Sequence, residues 1–172
     1  MITFVKLRRE DIPFLNEVRN ECAETYLHNS TTFSLEQSYS WFDKTNPMFY
    51  TVFNDGVKIG YFRLSDYSSV NNNILIGMDI HKDFRGKGLA FESYCKFIPF
   101  IIKTYNLHKV SLEVLATNTR AHNLYVKLGF VTEGTKRQEV NKNGTYVDSI
   151  FMSILREEVE KNPIYKSLPK ND

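Results

Sequence analysis

Apolar positions change their period several times along this 172-residue chain, and each change marks an element boundary. Residues 2–7 alternate as a strand does. Asp11 then offers a helix cap with Pro13 in the first turn, and Leu15, Val18, Cys22 and Tyr26 fall on one helical face. A second helix begins at Ser34, which with Gln37 three residues on forms a capping box ahead of Tyr39, Trp41 and Phe42. Residues 49–53 and 57–64 read as a hairpin, because the intervening Asp55-Gly56 accepts the positive φ angles of a tight primed turn. A further strand is predicted over 73–80.

The second half alternates helix and strand. Residues 89–105 carry a helical pattern interrupted by Pro99, which predicts a kink or an early break. Strand returns at 110–115, followed by a short helix over 118–128 closed by Gly129. Strands at 130–140 and 146–155 flank the turn-rich Asn141-Lys142-Asn143-Gly144. Past Arg156 the chain is charged and contains Pro163 and Pro169, so residues 156–172 read as a loosely attached charged tail. That leaves residues 1–155 as one domain, without internal repeat, low-complexity tract or linker.

Composition narrows the function classes. A 42% hydrophobic and 14% aromatic content supplies one well-cored domain. Twenty-two basic against twenty acidic residues is too balanced for a protein that wraps nucleic acid. Cys22 and Cys95 match no metal-ligand or disulfide spacing and are expected to be buried thiols, with no metal site. No run combines a basic start with an apolar leader, and none reaches bilayer length, so a soluble cytoplasmic protein without membrane partners is expected.

Chemistry first shows itself at Arg85-Gly86-Lys87-Gly88-Leu89-Ala90, between a strand and a helix. A glycine turn opening a helix presents unpaired N–H groups at the positive end of the helix dipole, which suits phosphate. Arg85 and Lys87 add cations, making pyrophosphate the natural guest. No Gly-Lys-Ser/Thr follows, which excludes a Walker loop, and no Gly-x-Gly-x-x-Gly follows an early strand, which disfavours a dinucleotide fingerprint.

Two later motifs belong with this loop: Asn118-x-x-Ala121-x-x-Leu124-Tyr125 and Leu128-Gly129-Phe130. Together with the element order, they resemble the GNAT superfamily of acyl-CoA N-acyltransferases over residues 2–155. The second half is similar to the branch holding ribosomal-protein N-terminal, spermidine and amino-sugar acetyltransferases. The resemblance implies a single α/β (α+β) domain whose central, mixed but mostly antiparallel twisted sheet has about seven strands flanked by about four helices. It also implies acetyl-CoA as co-substrate. The coenzyme would be held by Arg85, Gly86, Lys87, Gly88, Leu89 and Ala90, by Asn118, Asn123 and Tyr125, and by backbone at Met78, Asp79 and Ile80, where the strand splays from 110–115.

Acetyl transfer sets the remaining roles. An amine attacks the thioester, and the departing thiolate, whose conjugate acid has a pKa of about 8.5 by analogy with cysteine, must be protonated. Tyrosine, at about 10, stays protonated at neutral pH and can supply that proton, and the resemblance implies that Tyr125 does so. Backbone N–H groups at 78–80 would serve the oxyanion if the strand is locally distorted there. Asp79 and Glu113 are the carboxylates that could act as base, and ordered water would serve an amine of lowered pKa.

The resemblance builds the acceptor pocket from the helical pair and the terminal hairpin at 134–145, which implicates Arg19, Asn20, Tyr26, His28 and Trp41. It favours a small amine, such as an amino-sugar nucleotide or a polyamine, over a protein N-terminus, and it admits a homodimer. Transfer is expected by direct attack, since Cys95 lies within a helix with no histidine at suggestive spacing. A catalytically silent acyl-CoA-binding module is the alternative reading.

Overall fold

Local chemistry accounts for most elements of the protein, a computed structural model that describes residues 1–166. The alternating N-terminal run is β1 (Ile2–Lys6), followed by helices α1 (Ile12–Ala23) and α2 (Leu35–Thr45). At α2 the capping box forms as expected: Ser34 Oγ accepts from Gln37 N at 3.1 Å, and Ser34 N donates to Gln37 Oε1 at 2.8 Å. Asp11 does not cap α1 with its side chain. Its carboxylate accepts from Arg8 N and Thr51 Oγ1 and lies 2.6 Å from Lys58 Nζ, because a buried carboxylate gains more from a cation and two donors than from one helix N–H.

Asp55 and Gly56 both take positive φ, turning β2 (Phe49–Asn54) into β3 (Val57–Ser68), and β4 (Asn73–Ile80) follows. Helix α3 (Leu89–Thr104) runs through Pro99 without the expected break. Phe97, Ile98, Ile101 and Ile102 are buried on both sides of the proline, so packing outweighs the one lost backbone hydrogen bond. Then come β5 (Lys109–Leu115), α4 (Thr119–Lys127), β6 (Val131–Lys142), β7 (Thr145–Leu155) and α5 (Arg156–Lys161).

Residues 156–166 correct the expectation of a loose tail. Val159 is buried, Ile164 and Tyr165 pack against the core, and Tyr165 Oη donates to Leu128 O at 2.7 Å. Three apolar side chains among the charges anchor the segment, and Arg156 Nε binds Leu107 O. Pro169 lies outside the described residues.

The seven strands form one sheet in the order β1-β2-β3-β4-β5-β7-β6. Every neighbouring pair is antiparallel except β4 and β5, which run parallel. With five α-helices among the described residues, this is the expected single α/β domain, one helix richer. Strand alternation divides the interior into two cores. Phe62, Leu64, Ile74, Ile76, Leu112 and Val114 pack against α3, where the Phe62 and Phe97 rings stack at 3.8 Å. On the opposite face Tyr61 packs with Leu15, Val18 and Cys22 of α1.

Candidate active site

The sheet opens where its hydrogen bonding stops. Strands β4 and β5 pair only over Asn73–Leu75 and Lys109–Ser111, although β4 continues to Ile80 and β5 to Leu115. Beyond that point the two diverge and leave a slot. Asp79 O points at Gly60 and His81 N–H bonds to Ile59 O, so these positions face β3 and the backbone of Met78 and Ile80 faces the slot. Divergence, and not a strand distortion at 78–80, therefore exposes this backbone. The β3–β4 register is regular from Gly60 to Ser65, and its irregularity lies at Ser65–Ser68.

A cavity of about 790 Å³ occupies the slot and reaches both sheet faces. On the α3 side it is lined by Phe91, Tyr94, Leu124 and Tyr125, and on the α1 side by Arg19, Tyr26, His28 and Glu113. Gly86, Gly88, Leu89, Ala90 and Asn118 close one end. Gly86 and Gly88 have φ values of +82° and +79°, which only glycine adopts without strain, and Gly88 is the residue that starts α3. Asn118 Oδ1 accepts from Ala121 N at 3.2 Å and so caps α4.

The loop cations divide in a way the sequence did not anticipate. Arg85 folds back: Nε donates to Ile80 O at 2.8 Å, one terminal nitrogen lies 3.4 Å from Glu21 Oε2, and the guanidinium sits over the Tyr26 ring. Glu21 also meets Lys82, while His81 Nε2 lies 3.3 Å from Glu17. Lys87 is exposed beside the Phe84 ring, outside the cavity lining. Arg120, absent from the sequence-based set, lines the cavity beside Gly86. Asn123 is exposed on α4 and does not line the cavity, because α4 turns Leu124 and Tyr125 inward instead.

Tyr125 is buried, and Tyr94 Oη donates to its hydroxyl at 3.4 Å. Burial raises the Tyr125 pKa, and the Tyr94 hydrogen bond and Arg63 offset this in part. The phenol is thus fully protonated at neutral pH, with a donor in place for the phenolate it would leave.

Of the two carboxylates, Asp79 is buried and committed to Arg63. Nε lies 3.0 Å from Oδ2, and a terminal nitrogen donates to Oδ1 at 3.2 Å. Gly77, across from Arg63, keeps that guanidinium's place, since a Cβ there would lie 2.7 Å from it. Glu113 salt-bridges Lys136 and lies 3.6 Å from His28 Nε2. The same His28 nitrogen is 2.7 Å from the Oγ of buried Ser149.

Long-range contacts hold this wall. Lys142 Nζ, near the hairpin tip, binds Ala23 O, Leu27 O and Ser30 Oγ, fixing the segment that carries His28. Arg19 donates to Asn29 O, and burial pushes its guanidinium pKa down. Asn20 clamps Phe33 through its backbone, and Trp41 packs on Phe49, so both are structural and neither lines the cavity. From the terminal hairpin only Glu139 and Val140 reach the lining. Arg63, Tyr94, Arg120 and Ser149 escaped the sequence reading because no local motif marks them.

Comparison with known proteins extends this geometry. A family model described as an acetyltransferase (GNAT) domain matches residues 2–131. The chain is 26% identical over 167 residues to spermidine N(1)-acetyltransferase of Vibrio cholerae, spanning 90% of this chain and 93% of that one. It is 27% identical over 79 residues to the ribosomal protein uS5-alanine N-acetyltransferase of Escherichia coli, 46% of this chain and 41% of that one. The crystal structure of the V. cholerae spermidine enzyme in complex with CoA and spermine superposes with a TM-score of 0.85 at 26% identity, over 93% of this chain and 98% of that one. No helix among the described residues is long and apolar enough to cross a membrane.

Proposed function

This chain belongs to the GNAT acetyltransferase family and moves an acetyl group from acetyl-CoA to an amine, and we propose that its acceptor is a small amine which meets the thioester inside the β4–β5 slot. The observation that carries this reading is the slot itself, a single cavity bordered by the glycine loop, by Tyr125 and by the Glu113–His28 wall. The residues present fit coenzyme A: Gly86 and Gly88 let phosphate approach their backbone, Arg120 supplies a cation, and Met78 offers slot-facing backbone to the pantetheine arm.

Tyr125 is the general acid of this reading. A phenol whose pKa burial raises holds its proton until a thiolate forms, and Tyr94 steadies the phenolate afterwards. The slot-facing Met78 N–H is a donor that can serve the oxyanion. Asp79 is tied to Arg63, so of these two candidates Glu113 is the one left on the acceptor wall, where it faces His28.

Release of free thiol from acetyl-CoA, measured across polyamines, amino-sugar nucleotides and peptides with free N-termini, tests the reading. Turnover with a small amine and none with peptides is expected. Turnover confined to peptides would make the acceptor a protein N-terminus, and tight coenzyme binding without any turnover would make the chain a silent acyl-CoA-binding module.

A further inference from the structure

An amine that is protonated at neutral pH must lose a proton before its lone pair can attack a thioester, and the α1 face of the slot carries a group built to take it. We propose that His28 Nδ1 is the general base for the acceptor amine, held in its reactive tautomer by Ser149 and Glu113, an inference that rests on the small-amine reading.

The contacts favour one tautomer. Lys136 pairs with Glu113 Oε1, so the hydroxyl proton of Ser149 is the donor left for Glu113 Oε2, at 3.4 Å. The Ser149 oxygen is left to accept from His28 Nε2 at 2.7 Å. A neutral imidazole protonated on Nε2 carries a bare lone pair on Nδ1, and Nδ1 has no hydrogen-bond partner among the described residues. His28 is half-buried and lines the cavity.

Strand alternation places this group against Tyr125. Leu112 and Val114 of β5 face the α3 core, so Glu113 between them faces α1; Ile150 and Met152 of β7 likewise send Ser149 to the α1 side. Tyr125 belongs to the α3 core. Base and acid thus border one cavity from opposite faces of the sheet, so an amine entering on one side and a thiol leaving on the other each meet their own proton-transfer group.

The charge balance keeps His28 neutral at rest. Burial lowers its pKa most strongly; Glu113 on β5 pushes it up, while Arg63 on β3 and Lys136 and Lys142 on β6 push it down. The steps balance. An ammonium N–H bond breaks, and its proton passes to His28 Nδ1, which releases it to solvent. The amine forms the C–N bond as the carbonyl pair moves onto oxygen. The oxygen pair then re-forms the C=O bond as the C–S bond breaks, the C–S electron pair stays on sulfur, and the sulfur takes the Tyr125 proton. The surplus proton on nitrogen restores Tyr125, so one ammonium and one acetyl-CoA give one amide, one thiol and one proton.

The experiment compares wild type, His28→Ala and Glu113→Gln on whichever amine the thiol-release panel identifies, with acetyl-CoA affinity by calorimetry and full pH profiles. In the wild type kcat/KM should fall as pH drops through a limb lying below the ordinary imidazole value of about 6.5. His28→Ala should bind acetyl-CoA normally, lose about 10²- to 10⁴-fold in kcat/KM, lack that limb and regain rate with added imidazole. Glu113→Gln should lower kcat/KM by less than His28→Ala does, because the amide oxygen can still accept the Ser149 proton, and should move the limb to lower pH, because it removes a carboxylate that favours protonation of the ring. An unmoved limb in His28→Ala overturns the proposal, as does abolished turnover in Glu113→Gln beside near-normal turnover in His28→Ala, which would make Glu113 the base. A wild type that acetylates no small amine fells the small-amine reading and this inference with it, whereas an active wild type indifferent to His28 fells the inference alone.

Discussion

Tyr125 and Asp79 show how two side chains lining one cavity come to different duties. Among the described residues the Tyr125 hydroxyl has one hydrogen-bond partner, Tyr94, which donates to it and leaves its own proton available. Tyr125→Phe should therefore lower kcat by about 10²- to 10³-fold while acetyl-CoA affinity, read by calorimetry, stays within about twofold. Unchanged kcat would remove the residue from the mechanism. Asp79, by contrast, has both oxygens at Arg63. Its neutral amide replacement should show mainly in stability: Asp79→Asn is expected to cost about 1–3 kcal/mol in denaturant unfolding, the range for a buried hydrogen-bonded group left without its partner. A base would behave in the reverse manner, with lost turnover and intact stability.

Among the elements, those with a local cause were legible in the sequence and those with a distant one were not. The Ser34–Gln37 box, the Asp55-Gly56 turn and the glycine start of α3 each depend on residues within a few positions, and each stands where the pattern puts it. Asp11 looked like a cap because its true partners, Thr51 and Lys58, lie on strands that pack against it only after folding. Ser149 meets His28 across 121 residues, and Arg63 meets Asp79 across the β3–β4 ladder, so neither pairing leaves a spacing to read. Pro99 and the 156–166 segment misled for a related reason: propensity argued for a break and a tail, and burial of neighbouring apolar side chains overrode it. The start of α3 carries its own test. Gly88→Val places a β-branched residue at φ +79° and a side chain where phosphate would approach. Acetyl-CoA affinity should fall by at least about tenfold in calorimetry, with secondary structure by circular dichroism preserved.

The whole molecule is tied together by buried polar groups as well as by its two cores. Asp11 links the turn before α1 to β2 and β3. Burial alone would raise its pKa, but the Lys58, Arg8 and Thr51 interactions outweigh that and hold it below the usual carboxylate value. A carboxyl with a folded-state pKa below its unfolded value stabilises fully above the unfolded value of about 3.9, and that contribution disappears as pH falls through the folded one. Asp11→Asn should thus be less stable than wild type in urea at pH 7, with the gap closing below about pH 4. The slot between β4 and β5 has a consequence for how the reaction is traversed. Because the cavity reaches both faces of the sheet, two substrates can arrive by separate doors, and neither has to vacate the other's seat. Initial-rate lines at several fixed acetyl-CoA concentrations should then intersect in double-reciprocal plots, and the amide and the thiol can each depart by the route its parent used.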